Sequence, residues 1–172
     1  GVLGLLALLL GACTTLTDFD SMQEYRGQIV GTISPETTVG QTLVVRRPGF
    51  NGILLWLRPK GSEFTEDAAV LARIYTAPGA QTALVEQSIS FARMAVQFPV
   101  SIEFPPLSEV PEETFYLELA TNDGEVDVLG RLENASPRGE ATISGEPIEA
   151  DLSFRLLYRY DLKAFWEDAR QL

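Results

Sequence analysis

Short apolar runs separated by clusters of Gly, Pro, Asn and Asp recur along most of this chain. They predict strands at Gln28–Ile33, Gln41–Arg47, Gly52–Arg58, Val70–Thr76, Ala83–Phe91, Val100–Phe104, Thr114–Thr121, Glu125–Leu129, Ala141–Ser144 and Asp151–Tyr160. Turn residues fall between them: Arg47-Pro48-Gly49-Phe50-Asn51-Gly52, Ala77-Pro78-Gly79, Asn122-Asp123-Gly124, Ser136-Pro137-Arg138-Gly139 and Gly145-Glu146-Pro147. Strands of this length, spaced by turn chemistry about every ten residues, have the rhythm of a sandwich or barrel.

Periodicity sorts the strands by environment. Val70, Ala72 and Ile74 alternate with Leu71, Arg73 and Tyr75, and Phe115, Leu117 and Leu119 alternate with Tyr116, Glu118 and Ala120. Alternate side chains of a strand leave on opposite faces, so each of these runs buries one face only. Gly52-Ile53-Leu54-Leu55-Trp56-Leu57 is apolar throughout and reads as a strand covered on both faces, with Trp56 in the core. These features together predict an all-β domain, a two-sheet antiparallel β-sandwich, over residues 25–160.

The two ends depart from that pattern. Residues 1–13 are an uncharged, Leu-rich run, and residues 14–24 read as a Thr/Asp-rich linker. Three readings compete for the run: a cleavable secretory signal, an uncleaved membrane helix lengthened by upstream sequence, and a buried core helix. The tetrapeptide Leu10-Gly11-Ala12-Cys13 resembles the lipobox of bacterial lipoproteins, and that resemblance implies that Cys13 carries a diacylglycerol. The expected address is the extracytoplasmic face of a bacterial membrane, held by lipid or by helix. At the other end, residues 161–172 change period. Asp161 can cap a short helix that places Leu162, Phe165, Trp166 and Ala169 on one face. That helix either packs on the sandwich or leads toward a further membrane segment.

Composition narrows the chemistry. The chain of 172 residues has 45% hydrophobic and 22% charged residues, as a globular domain does. The net charge of −11 comes almost wholly from Met94 onward, and a field of that sign repels phosphate backbones, which excludes nucleic acid as a natural partner. Histidine is absent, which removes the usual general base and the commonest neutral metal ligand. Cys13 is the single cysteine, so no disulfide and no Cys-based zinc site forms within one chain.

Few constellations remain. A Ser-His-Asp triad is ruled out, nothing surrounds Lys60 or Lys163 that would make a Ser-Lys pair, and no phosphate-binding glycine loop occurs. Carboxylates are plentiful enough for a glycosidase pair, yet the sequence singles out none. Asp123, Glu125 and Asp127 could present three carboxylates to Ca²⁺; the competing reading is a hairpin turn running into a charged edge strand. Arg46, Arg47, Arg58 and Lys60 read either as solvated strand ends or as contacts to headgroups or anionic sugar. Asn134-Ala135-Ser136 reads as a turn.

Gly40-Gln41-Thr42-Leu43-Val44, Asn51 to Leu57, Ala72-Arg73-Ile74-Tyr75, Ile102 to Leu107, Thr114 to Leu119 and Leu152 to Tyr158 follow one another in an order with a known likeness. From Gly40 to about Asp161 the pattern resembles extracytoplasmic β-sandwich modules of bacterial envelope proteins. Some of these are lipoproteins, and others are appended to membrane glycosyltransferase-like proteins. It is similar, too, to jelly-roll modules of carbohydrate-binding type. The resemblance implies a jelly roll with a surface role and no established activity, and its matched residues are mostly core. The expected function is a non-catalytic, membrane-anchored binding module for envelope carbohydrate. The alternative is a structural or accessory subunit of a membrane protein complex without a small-molecule ligand, and a hydrolase with paired carboxylates comes third.

Overall fold

The computed structural model describes residues 14–17, 27–61, 65–107, 113–133 and 139–160. The N-terminal run 1–13 and the C-terminal segment 161–172 lie outside them. Among the described residues, fourteen strands and one helix follow in order. They are β1 (Thr14–Thr17), β2 (Gln28–Ile33), β3 (Val39–Val45), β4 (Phe50–Leu55), β5 (Leu57–Pro59), β6 (Ala69–Tyr75) and β7 (Val85–Ser90). Then come α1 (Phe91–Val96), β8 (Val100–Glu103), β9 (Glu113–Thr121), β10 (Val126–Arg131), β11 (Ala141–Ile143), β12 (Glu146–Ile148), β13 (Asp151–Leu152) and β14 (Phe154–Tyr160). β1 falls within the stretch that the sequence pattern offers as a linker, where it pairs with β14.

Among the described residues every strand pairing is antiparallel, and the fold is all-β and sandwich-like. The hydrogen bonds form three ladders where the pattern predicts two sheets: β1-β14-β4-β8, β13-β10-β2 with β5 also on β10, and the six-stranded β12-β11-β3-β9-β6-β7. The extra division has a local cause. Leu55 and Phe154 are partners in the first ladder, but beyond them Leu57 pairs with Val128 and Leu152 with Gly130. Both predicted long strands therefore leave one ladder for another, at Trp56 and at Ser153. Leu129 joins the two breaks: its N–H donates to the Trp56 carbonyl at 3.0 Å and its carbonyl accepts from Ser153 N–H at 2.9 Å. Such corners let strands switch sheets without losing backbone hydrogen bonds. Gly130 makes this corner possible, because a Cβ there would run into the Asp151 carbonyl.

One hydrophobic cluster joins all three ladders, with Val30 and Ile33 from β2, Leu43 from β3, Ile53 from β4, Ile74 from β6, Leu117 from β9, Val128 from β10 and Leu156 from β14 among its members. Phe50 is wholly buried and makes ring contacts with Phe104, edge-on at 5.1 Å, Phe115 at 5.6 Å and Tyr158 at 6.2 Å. The Gly52–Leu57 stretch is buried on both faces apart from a half-buried Leu54, as its pattern predicts. Trp56 is buried as well, with the Arg155 guanidinium 5.6 Å from its ring centre.

Two elements depart from the sequence reading. The predicted strand Ala83–Phe91 turns into α1 at its end, because the Ser90 hydroxyl caps the helix by accepting from Arg93 N–H, and Phe91 and Met94, three apart, bury one face. Gly145-Glu146-Pro147 reads as a turn, but the turn proper is Ser144-Gly145, both at positive φ, the two-residue hairpin geometry. Glu146 and Pro147 already belong to the edge strand β12, where the missing proline N–H costs no ladder bond. At another edge, the outward carbonyls of β8 accept from side chains rather than from a strand: Ser101 from Arg93 of α1, and Glu103 from Gln87 of β7.

Candidate functional site

The acidic turn engages each of its carboxylates with a separate partner. Asp123 Oδ2 accepts from the Thr65 hydroxyl at 2.7 Å and from Thr65 N–H at 3.3 Å, while its Oδ1 accepts from Gly124 N–H at 2.8 Å. These bonds, the Thr65 hydroxyl first, hold the Asp123 carboxyl below its ordinary range. Glu125 pairs with Lys60 at 2.6 Å, which raises the lysine's affinity for its proton. Asp127 is buried and accepts from Thr32 Oγ1 at 3.1 Å and Arg58 Nη2 at 3.2 Å. Each of the three carboxylates thus goes to a different cationic or hydroxyl partner, and no group of three His, Cys, Asp or Glu side chains converges among the described residues. Of the two readings of Asp123, Glu125 and Asp127, the hairpin running into an edge strand is corrected: β10 is flanked by β2 and β5, and the turn is clasped by residues near β5 and β6. Asn122 completes the clasp, its Oδ1 accepting from Ala69 N–H and its Nδ2 donating to the Asp67 carbonyl.

The four basic residues that lie close in sequence are divided in the same way. Arg58 and Lys60 belong to these ion pairs at the far end of β5, whereas Arg46 and Arg47 precede β4.

The face of the six-stranded ladder turned away from the core gathers polar and aromatic groups that no linear motif announces. Its members alternate with the buried Ala72, Ile74, Leu117, Leu119, Val39 and Gln41. Tyr75 and Tyr116 are register partners, as are Arg73 and Glu118, and Arg73 and Glu86. Arg73 Nε meets Glu86 Oε2 at 2.8 Å and its Nη1 meets Glu118 Oε1 at 3.5 Å, so one guanidinium joins three strands. Burial, followed by the Glu118 charge, pushes the Tyr75 phenol above its ordinary value, which keeps it a neutral donor.

Tyr116 lies across β3 over Gly40 and shares a 2.7 Å hydrogen bond with Thr142 Oγ1. Only a glycine leaves room beneath it, since a Cβ at position 40 would overlap the phenol oxygen. Tyr116 is 6% exposed and serves as the floor, while Tyr75 is half-buried beside the Arg73 row, with Tyr116 between it and Thr42. The sequence alternation places each of these residues outward. It does not say that β6, β9 and β3 are neighbours, and that adjacency is what assembles the site.

Cys13 and its neighbours Leu10, Gly11 and Ala12 lie outside the described residues, as do Asn134 to Ser136 and Trp166. Among the described residues no helix is long and apolar enough to cross a membrane. Compared with models of known protein families and with curated proteins, the chain matches none.

Proposed function

We propose that this chain is a non-catalytic β-sandwich of jelly-roll type that binds envelope carbohydrate on the outer face of its six-stranded ladder. One observation carries the reading: Tyr75 stands beside a fixed row of Arg73, Glu118 and Glu86. An aromatic ring offers an apolar face to pyranose C–H groups, and flanking charged groups supply donors and acceptors for hydroxyls. Glu86 and Glu118 share one arginine, so the row is an ion-pair network and not a separated acid and base. The anchor rests on the uncharged run that ends at Leu10-Gly11-Ala12-Cys13, with the domain on the extracytoplasmic side of a bacterial membrane.

The test is a glycan array followed by titration of the hits, with Tyr75→Ala as the variant. Binding that falls at least tenfold in Tyr75→Ala, with an unchanged melting temperature, supports the reading. No binding at millimolar glycan, or binding indifferent to Tyr75, overturns it. Membrane fractionation of Cys13→Ser addresses the anchor separately: release into the soluble fraction is expected, and undiminished membrane association refutes acylation.

A second reading, an accessory subunit of a membrane complex, draws on exposed apolar side chains near an edge. Among the described strands β2 ends its ladder, with Ile29 46% exposed, and Leu132, 56% exposed, is tied to the same edge by its N–H to Gln28 Oε1. Exposed apolar side chains at a sheet edge fit a partner that covers them. Stoichiometric co-purification that is lost in Ile29→Lys would favour it.

A further inference from the structure

Between β5 and α1 lies a cavity of about 410 Å³, lined by Leu57, Arg58, Pro59, Gly61, Met94, Ala95 and Phe98. That volume falls within the range of about 300–1,000 Å³ typical of small-molecule sites. Its walls are apolar: Leu57 and Met94 are buried side chains, and Phe98 is half exposed. Among the described lining residues the charged one is Arg58, and a buried carboxylate holds it. Asp127, itself 4% exposed, takes one Arg58 N–H at 3.2 Å and a Thr32 hydroxyl at 3.1 Å. A guanidinium has five N–H donors; Asp127 takes one of Arg58's, and the arginine side chain is 56% exposed, which leaves donors open to a ligand.

We infer that this cavity binds a small amphiphilic carboxylate, whose apolar body lies against Leu57, Met94 and Phe98 and whose carboxylate takes the open side of the Arg58 guanidinium. Each half of such a ligand meets the group suited to it. Apolar walls take the hydrocarbon out of water, and a planar fork held in place matches a carboxylate bidentately. An uncharged amphiphile of the same length gains only the first contact, and a cationic one meets the arginine head on. The cavity shares no residue with the Tyr75 face, so this inference stands apart from the carbohydrate reading.

Decanoate, decanol and decyltrimethylammonium, each kept below its aggregation threshold, form the probe set, with binding read by calorimetry and by amide chemical shifts around Met94 and Phe98. Decanoate is expected to bind at least tenfold more tightly than decanol, and decyltrimethylammonium more weakly than either. Arg58→Gln is expected to bring decanoate down to the affinity of decanol while leaving decanol unchanged. Ala95→Trp, at an exposed helix position facing the cavity, is expected to remove both without lowering the melting temperature. If Arg58→Gln loosens the fold, Arg58→Lys serves instead: it keeps a cation beside Asp127 but replaces the planar fork with a point charge, so preference for decanoate over decanol should fall severalfold, and an unchanged preference overturns the inference. Equal binding of decanoate and decanol by the parent overturns the inference, as does decanoate binding that survives Ala95→Trp. A dimer in sedimentation that is abolished by Ala95→Trp, with no decanoate bound, overturns it as well, since a second copy would then fill the cavity.

Discussion

The hydrogen bond between Tyr116 and Thr142 offers the sharpest test of how the candidate face is built. Both residues are buried, at 6% exposed each, and the 2.7 Å bond crosses β3 from β9 to β11. Tyr116→Phe removes the phenol oxygen and leaves the Thr142 hydroxyl buried without its partner, while Thr142→Val does the reverse. A net hydrogen bond of this kind contributes about 1 kcal/mol, and orphaning a buried polar group costs about 1–3 kcal/mol. Each single variant should therefore lose about 1.5–2.5 kcal/mol. In the double variant no polar group is left stranded, so the cost should fall to about 1 kcal/mol, a coupling of about 2–4 kcal/mol. Urea unfolding followed by tryptophan fluorescence measures all four proteins, and the slope against urea should stay constant if only stability changes. At about 2–4 °C per kcal/mol for a domain of this size, each single variant should melt roughly 4–8 °C lower. Losses that add to within about 0.5 kcal/mol would refute the coupling and with it the account of Gly40 as the residue that lets the ring lie flat.

Other expectations follow from the same geometry. Phe50→Ala removes the centre of an aromatic cluster from the core and should cost about 3–5 kcal/mol in urea titration; a loss below about 1 kcal/mol would mean that Phe104, Phe115 and Tyr158 do not pack on it. Gly130→Ala presses a methyl group into the Asp151 backbone at the sheet corner, so its melting temperature should drop more than that of Gly61→Ala, whose added Cβ meets nothing and costs only the strain of a backbone at φ +78. Asp123 has a lowered pKa, so the unfolded chain binds its proton more readily and the stabilisation is complete above the ordinary carboxylate range of about 4. The difference in melting temperature between the parent and Asp123→Asn should thus be present at pH 7 and shrink as pH falls below about 4; a difference that grows on acidification contradicts the assigned bonds.

Much of the fold was legible from alternation and turn chemistry alone. Gln28–Ile33 appears as a strand with the bounds its pattern predicts, and β6 and β9 bury the faces their spacing assigns. The two strand breaks share a cause. Trp56 and Ser153 sit within unbroken apolar or alternating runs, and their breaks come from competition between two ladders for one strand, a tertiary event without a local signature. α1 escapes notice because six residues hold less than two full turns, and its signal is a single serine followed by good helix formers. The acidic turn shows the converse, a pattern that is real and whose groups are spent on neighbours from residues 58–69, which sequence distance conceals. The Tyr75 face is hidden for the same reason, since register between β6, β9 and β3 is written in long-range contacts.

The side-chain closure of β8 also bears on how the molecule opens. A backbone ladder melts cooperatively, one bond holding the next in register, whereas the Gln87 and Arg93 contacts to β8 can let go one at a time. The β7–α1–β8 crossing is therefore expected to be the weakest seam of the sandwich, and its amides should exchange with solvent ahead of those in β3 and β9. A fluctuation there would bare a strand edge for an instant without unfolding the domain. That makes Arg93 and Gln87 guards against intermolecular pairing, and their loss should show in aggregation rate sooner than in equilibrium stability.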